Sequence, residues 1–136
     1  MRLVQSKYNY CSLGELTGGN MGDISLHFNR SEFSCKCGCG FNVVDVELIK
    51  LLELVRNRWG VAVTINSAAR CYTHNNNVGG SKFSQHLLGK AADIKVRGVA
   101  PVNVYNFLNV FFRDQYGLGN YDTFTHIDVR DFKARF

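Results

Sequence analysis

Apolar positions recur at helical spacing in two segments of the chain, residues 45–59 and about 101–114. In the first segment the i, i+3, i+4, i+7 pattern is formed by Leu48, Leu51, Leu52 and Val55. Asp45 is suited to cap the start of this helix, and Gly60 is suited to end it. The second segment begins at Pro101, a residue favoured in the first turn of a helix. Both segments therefore predict helices that pack one face against a core.

Alternating apolar and polar residues predict three strands, at residues 61–67, 92–97 and 124–130. A loop rich in asparagine and glycine, residues 72–90, separates the first two strands, and residues 116–123 hold turn-forming residues that lead into the third. The order helix, strand, loop, strand, helix, strand predicts an α+β fold. We expect a small, mainly antiparallel sheet with flanking helices on one face and the other face open.

The length of 136 residues sets the number of domains. One compact domain with its own core fits this length, whereas two would be unusually small. Residues 1–23 are rich in glycine and show no period, so we interpret them as an irregular lead-in to a single domain over residues 24–136. The sequence contains neither an apolar run of about 18 residues for a membrane span nor a signal-peptide core. We therefore expect synthesis in the cytoplasm without a signal peptide.

The chain is basic, with a formal net charge of +5 and a sequence pI near 9.1. A basic surface favours polyanionic partners such as nucleic acid or an anionic cell wall, and it also serves plain solubility. A nucleic-acid-binding protein usually clusters lysine and arginine with stacking aromatics. Here the basic residues are scattered along the chain, so we expect no nucleic-acid partner.

Five cysteines occur in the sequence: Cys11, Cys35, Cys37, Cys39 and Cys71. Zinc modules usually separate paired cysteines by two to four residues and use a second pair, and neither feature is present here. An odd count also leaves at least one thiol unpaired. The spacing therefore favours free thiols or one disulfide over a metal site built from cysteines.

Histidine and aspartate residues occupy the polar face of two predicted strands. Asp93 begins the polar side of the second strand, and His86 precedes it by seven residues. His126 and Asp128 share the polar side of the third strand. Two neutral imidazoles and one carboxylate leave the fourth tetrahedral position of a zinc ion open to water, which is the pattern of catalytic zinc sites. We therefore predict zinc as the cofactor, held on the open sheet face by His86, Asp93 and His126.

Several short motifs surround these residues over roughly residues 27 to 136. They are Ser67-Ala68-Ala69-Arg70, His74-Asn75, Val78-Gly79-Gly80, Ser84-x-His86-x-x-Gly89-x-Ala91-x-Asp93 and His126-x-Asp128. Together they resemble the zinc D-Ala-D-Ala peptidase family, in particular its branch of phage and bacterial peptidoglycan hydrolases. The resemblance implies a zinc metallopeptidase that hydrolyses an amide bond in the peptide part of bacterial peptidoglycan.

The resemblance also implies roles for two residues outside the ligand set. Arg70 matches the family arginine that binds a substrate carboxylate or carbonyl, and a planar guanidinium fits a carboxylate with two hydrogen bonds. Ser84 matches the family serine that hydrogen-bonds the substrate. A cap for the surrounding loop is the alternative for Ser84. Both residues are therefore predicted to bind substrate.

The catalytic base is the point at which the sequence departs from the family. Relatives often place a carboxylate three residues before the last ligand, or a histidine two before it, and here those positions hold Thr123 and Phe124. Asp128 shares a strand face with the last ligand and is the predicted base, with Asp122 as second choice. The alternative for Asp128 is a supporting carboxylate or a salt bridge to Arg130.

The resemblance, taken with the small size, the basic charge and the absence of a signal peptide, implies a hydrolase of the phage or prophage endolysin type, made in the host cytoplasm and acting on the cell wall. A D-Ala-D-Ala carboxypeptidase or dipeptidase is a second possibility, and it would need Arg70 open to a terminal carboxylate. A catalytically inactive, zinc-stabilised module that binds the cell wall is a third, because the base is missing from its usual place. The expected partner is bacterial peptidoglycan, with no membrane span, and we expect a monomer.

Overall fold

The computed structural model describes residues 22–136, so nearly all of the predicted lead-in at residues 1–23 lies outside the described residues. The helices of this part of the chain are α1 (Val46–Trp59), α2 (Tyr72–Asn77) and α3 (Pro101–Phe111). Two 3₁₀ turns cover Arg30–Phe33 and Gln85–Leu88. The strands are β1 (Val63–Ser67), β2 (Ala91–Val96), β3 (Gly117–Asn120), β4 (Thr125–Asp128) and β5 (Ala134–Arg135). The predicted α+β class is confirmed.

One five-stranded sheet has the order β1-β2-β4-β3-β5. Its pairs are antiparallel except for β3 with β5, which run parallel. In the central pair, β2 and β4, Asp93 lies opposite His126 and Ala92 lies opposite Ile127. Because side chains alternate between the two faces of a strand, the polar pair points to one face and the apolar pair to the other.

The apolar face of the sheet packs against α1 and α3. The core shared by these elements includes Leu48, Leu52, Ile94, Val104, Leu108 and Ile127, all buried. The start of α1 is capped by the Asp45 side chain, which accepts a hydrogen bond from the backbone N–H of Glu47 at 2.8 Å, and the helix ends at Gly60 in a left-handed conformation. The helices cover one face as predicted, which leaves the polar face of the sheet open.

The structure differs from the sequence-based prediction in several places, one of which is the short unpredicted strand β5. The predicted loop at 72–90 contains α2 and a 3₁₀ turn, the second helix ends at Phe111, and the predicted turn at 116–123 contains strand β3. Strand β3 escaped detection because its sequence, Gly-Leu-Gly-Asn, has few strand-forming residues. A Cβ atom at Gly117 would lie 2.4 Å from the Asp128 carboxylate oxygens, so glycine leaves the room that this carboxylate occupies.

No helix of residues 22–136 combines the length and the apolar character required to cross a bilayer.

Gly89 and Gly60 form a matched pair for testing the packing that positions the 3₁₀ turn at Gln85–Leu88. Both adopt positive φ angles, 69° and 67°, but a Cβ at Gly89 would lie 2.4 Å from the Val43 carbonyl oxygen, whereas a Cβ at Gly60 meets nothing within 4 Å. Gly60→Ala should lower the free energy of unfolding by about 1–2 kcal/mol from backbone strain alone. Gly89→Ala should cost about 1–3 kcal/mol more, since backbone atoms must also move.

Urea unfolding of the two variants beside the wild type measures both free energies. Equal losses for Gly89→Ala and Gly60→Ala would contradict the close packing of Gly89 against Val43.

Candidate metal centre

The three predicted metal ligands converge at one point on the polar face of the sheet. His86 comes from the 3₁₀ turn before β2, Asp93 from β2 and His126 from β4. One ligand atom from each residue lies within 4.8 Å of the other two. The Asp93 Oδ1 atom is 3.4 Å from His86 Nε2 and 2.9 Å from His126 Nδ1. The protein therefore presents two imidazole nitrogens and one carboxylate to a common space.

Each histidine is oriented through its second ring nitrogen. The His86 Nδ1 atom donates to the carbonyl oxygen of Ala68 at 2.6 Å, which turns Nε2 towards Asp93. The His126 Nε2 atom contacts the Asp128 Oδ2 atom at 2.8 Å, which turns Nδ1 towards Asp93. A carbonyl and an ionised carboxylate both accept hydrogen bonds, so the nitrogen of each ring that points away from Asp93 carries a proton. Histidines that bind metals are commonly held in this way.

The turn that carries His86 is fixed by backbone contacts on both sides. The Arg70 backbone N–H donates to the His86 carbonyl oxygen at 3.0 Å, and this bond ties the turn to the end of β1. The Ser84 hydroxyl accepts from the His86 backbone N–H at 3.1 Å, so it caps the turn. Ser84 also lines the cleft beside the metal centre. Its predicted role in substrate binding stays a prediction.

Opposite charges set the protonation of the centre. Burial raises the pKa of Asp93, but hydrogen bonds from His126 and His86 outweigh it and hold that pKa well below its usual range. Burial lowers the pKa of His126, yet its contacts with Asp128 and Asp93 outweigh burial and raise it. A proton and a metal ion on His126 Nδ1 exclude each other, so metal binding at this nitrogen would release a proton.

Asp128 is fully buried behind His126, on the side away from Asp93. Its carboxylate accepts from the Arg130 guanidinium at 2.8 and 2.7 Å. Burial raises the pKa of Asp128, but the hydrogen bonds from Arg130 and His126 hold it well below its usual range. These contacts match the alternative role predicted for Asp128, that of a carboxylate that supports His126 and pairs with Arg130. The role of catalytic base stays a prediction.

The second predicted base, Asp122, is exposed between β3 and β4 and does not line the cleft. Among the described residues that line the cleft, Asp93 is the one carboxylate.

Arg70 lies against the metal centre and is held at three points. Its guanidinium donates to Asp93 Oδ2 at 3.2 Å, to Asn75 Oδ1 at 3.1 Å and to Ser67 Oγ at 3.0 Å. Buried Asn75 is fixed in turn because its amide donates to the Ser81 carbonyl oxygen at 2.9 Å. A guanidinium has five N–H groups, so these contacts leave two for a ligand. Arg70 also lines the cleft, which is consistent with its predicted role in substrate binding.

The cleft over the metal centre has a volume of about 770 Å³ and five aromatic residues along its wall. The wall residues are Phe83, Tyr121, Phe124, Phe132 and Phe136. Arg130 also faces the cleft, with its guanidinium carbon 5.5 and 5.2 Å from two of these rings. Phe124 shares the polar side of the predicted third strand with His126, but the other four aromatics follow no helical or strand period, so sequence reasoning missed the wall. The one available signal for Arg130 was its position two residues after Asp128.

Two histidines and one carboxylate around one point, a fixed arginine and an adjoining cleft are typical of metal-dependent hydrolases. A family model described as Peptidase M15 matches residues 26–128, and the chain belongs to this family of metallopeptidases. The match confirms the resemblance drawn from the sequence motifs. A search of curated proteins found no significant match.

The ligand assignment predicts that His86→Ala, Asp93→Ala and His126→Ala each lower bound zinc by about one equivalent per chain, because each removes one of three protein ligands. Elemental analysis of the purified variants measures the loss. His74→Ala is the matched control, since its imidazole lies outside the ligand cluster, and it should keep the wild-type content. Wild-type zinc content in His126→Ala would refute the assignment.

Proposed function

We propose that the protein is a zinc peptidase that hydrolyses an amide bond in the peptide part of bacterial peptidoglycan. The observation that carries this proposal is the convergence of His86 Nε2, His126 Nδ1 and the Asp93 carboxylate beside Arg70 in one cleft. Membership in the Peptidase M15 family also supports it. Zinc is the metal proposed because two imidazoles and one carboxylate are a common catalytic zinc set.

Bound zinc would polarise the scissile carbonyl and make water in the cleft more acidic. The remaining tasks belong to side chains of this chain. Asp128 and the Ala68 carbonyl keep the two imidazoles in the required orientation. Arg70 offers two N–H groups to a carboxylate or carbonyl of the peptide, and its three internal hydrogen bonds reduce the entropy lost on binding.

We further propose that the protein is a phage or prophage endolysin, made in the host cytoplasm and acting on the cell wall. The net charge of +5 supports this placement, because the wall polymers of many bacteria are anionic.

A second candidate function is a D-Ala-D-Ala carboxypeptidase. It is favoured by the position of Arg70, which places its guanidinium 3.2 Å from Asp93 and therefore beside the point where metal would act. A guanidinium in that position suits the terminal carboxylate of a peptide whose last amide bond is cut.

Mass spectrometry of purified, cross-linked peptidoglycan after incubation with the zinc-loaded protein separates these functions. An endopeptidase should convert cross-linked fragments into monomers with new termini, and activity should disappear with a chelator. A carboxypeptidase should remove a terminal alanine and leave cross-links intact. Unchanged fragments with zinc bound would contradict both enzymes and favour the inactive wall-binding module.

The two roles of Asp128 predict different kinetics for Asp128→Asn. The contacts with His126 and Arg130 favour the supporting role. In that role the variant should bind zinc roughly 10–100-fold more weakly, and activity should recover once zinc is saturating. Competition with a chromophoric chelator gives the zinc affinity, and assays over a zinc series give the activity.

Asp122→Asn, the same change on an exposed aspartate, is the control and should match the wild type in both measurements. A kcat lowered at least ~10²-fold at full zinc occupancy in Asp128→Asn would instead assign Asp128 as the base.

A further inference from the structure

Four cysteines from two distant segments meet outside the cleft. Cys35, Cys37 and Cys39 follow the 3₁₀ turn at Arg30–Phe33, whereas Cys71 caps the start of α2. Their four sulfur atoms all lie within 4.8 Å of one another. The Cys37 Sγ atom is 3.5 Å from Cys35 Sγ and 3.7 Å from Cys71 Sγ, and no disulfide joins any two of the four.

These separations match metal coordination better than disulfide bonding. Sulfur atoms in a disulfide are about 2.05 Å apart. A tetrahedral zinc ion with Zn–S bonds of about 2.3 Å holds its sulfur atoms ~3.8 Å apart. The observed 3.5 and 3.7 Å are close to the second value. Thiols alone are weak hydrogen-bonding partners and gain little from such a cluster.

Backbone N–H groups point at three of the four sulfur atoms. The Cys71 N–H donates to Cys35 Sγ at 3.4 Å, and the His74 N–H donates to Cys71 Sγ at 3.3 Å. The Phe41 N–H donates to Cys39 Sγ at 3.4 Å. Such N–H groups stabilise the negative charge of thiolates, and hydrogen bonds of this kind surround the ligands of metal sites. Three of the four sulfur atoms therefore have N–H partners of the kind found around metal-bound thiolates.

We propose that Cys35, Cys37, Cys39 and Cys71 bind a second zinc ion in a closed, structural site. Four thiolate ligands fill the tetrahedral shell and leave no position for water, so this ion would not take part in hydrolysis. The four thiols release their protons to solvent as the metal binds. The proposal replaces the expectation of free thiols or one disulfide. The spacing of the cysteines did not indicate this site, because the fourth ligand, Cys71, lies 34 residues after Cys37 in the sequence.

The site would fasten the segment that carries Arg70. Cys71 follows Arg70 directly, and α2, which Cys71 caps, supplies the Asn75 side chain that accepts from the Arg70 guanidinium. The Ala69 backbone N–H already donates to the Phe33 carbonyl oxygen at 3.1 Å, which joins this segment to the residues just before Cys35. A zinc ion would add a stronger link at the same place and keep the arginine beside Asp93.

Zinc content of matched variants, purified under reducing conditions, tests the proposal. The wild type should hold two zinc ions per chain. The variant His126→Ala and the double variant Cys37→Ser/Cys39→Ser should each hold one zinc ion. Both cysteines are exposed, so the double change removes ligands with little loss of packing. Lys36→Ser is the matched control, because it introduces a serine into the same loop without removing a thiol. It should keep two zinc ions. A single zinc in the wild type that His126→Ala removes would overturn the proposal.

Cobalt substitution of the wild type gives a readout that needs no variant. Cobalt in a tetrathiolate site has strong thiolate-to-metal charge-transfer absorption in the near ultraviolet, which a site of histidines and a carboxylate lacks. The cobalt-loaded wild type and His126→Ala should both show this band, and Cys37→Ser/Cys39→Ser should lose it. A cobalt-loaded wild type without the band would refute the site.

Discussion

The pairing of Asp93 with His126 across β2 and β4 is the contact on which the rest of the site depends. It places the Asp93 carboxylate 2.9 Å from His126 Nδ1, and the same carboxylate receives His86 and Arg70 at 3.4 and 3.2 Å. A shift of one residue in this register would move every side chain of the strand to the opposite face. The buried Ala92–Ile127 pair prevents such a shift, since it would expose apolar groups and bury charge. The hydrophobic core therefore determines the geometry of the metal centre.

The groups that hold the metal ligands in place come from separate parts of the sequence. The Ala68 carbonyl after β1 and Asp128 at the end of β4 each fix one imidazole. Asp128 is held by Arg130, and Gly117 on β3 provides the space for its carboxylate. Four neighbouring strands thus contribute either a ligand or the support of a ligand. This division of tasks is typical of metal sites that must hold their ligands in one orientation.

Local patterns were sufficient to predict the parts of the fold that rest on local physics. Apolar spacing located α1, and alternation placed Asp93 and His126 on the polar face. Strand β3 was missed because its glycines have low strand propensity and leave room for neighbouring side chains, the Asp128 carboxylate at Gly117 and the Tyr121 ring at Gly119. The cysteine cluster was missed because Cys71 approaches the loop only in three dimensions. Contacts between distant segments leave no period in a single sequence, which is why such groupings needed the structure.

The central claim is that His86 Nε2, His126 Nδ1 and Asp93 hold the metal of a Peptidase M15 enzyme. Anomalous diffraction at the zinc absorption edge from crystals of the zinc-loaded protein tests it most directly. The expected result is a peak at about 2.0–2.2 Å from each of these three ligand atoms, with Asp128 still bonded to His126 Nε2. An active protein whose crystals show no anomalous peak within bonding distance of Asp93 would contradict the claim.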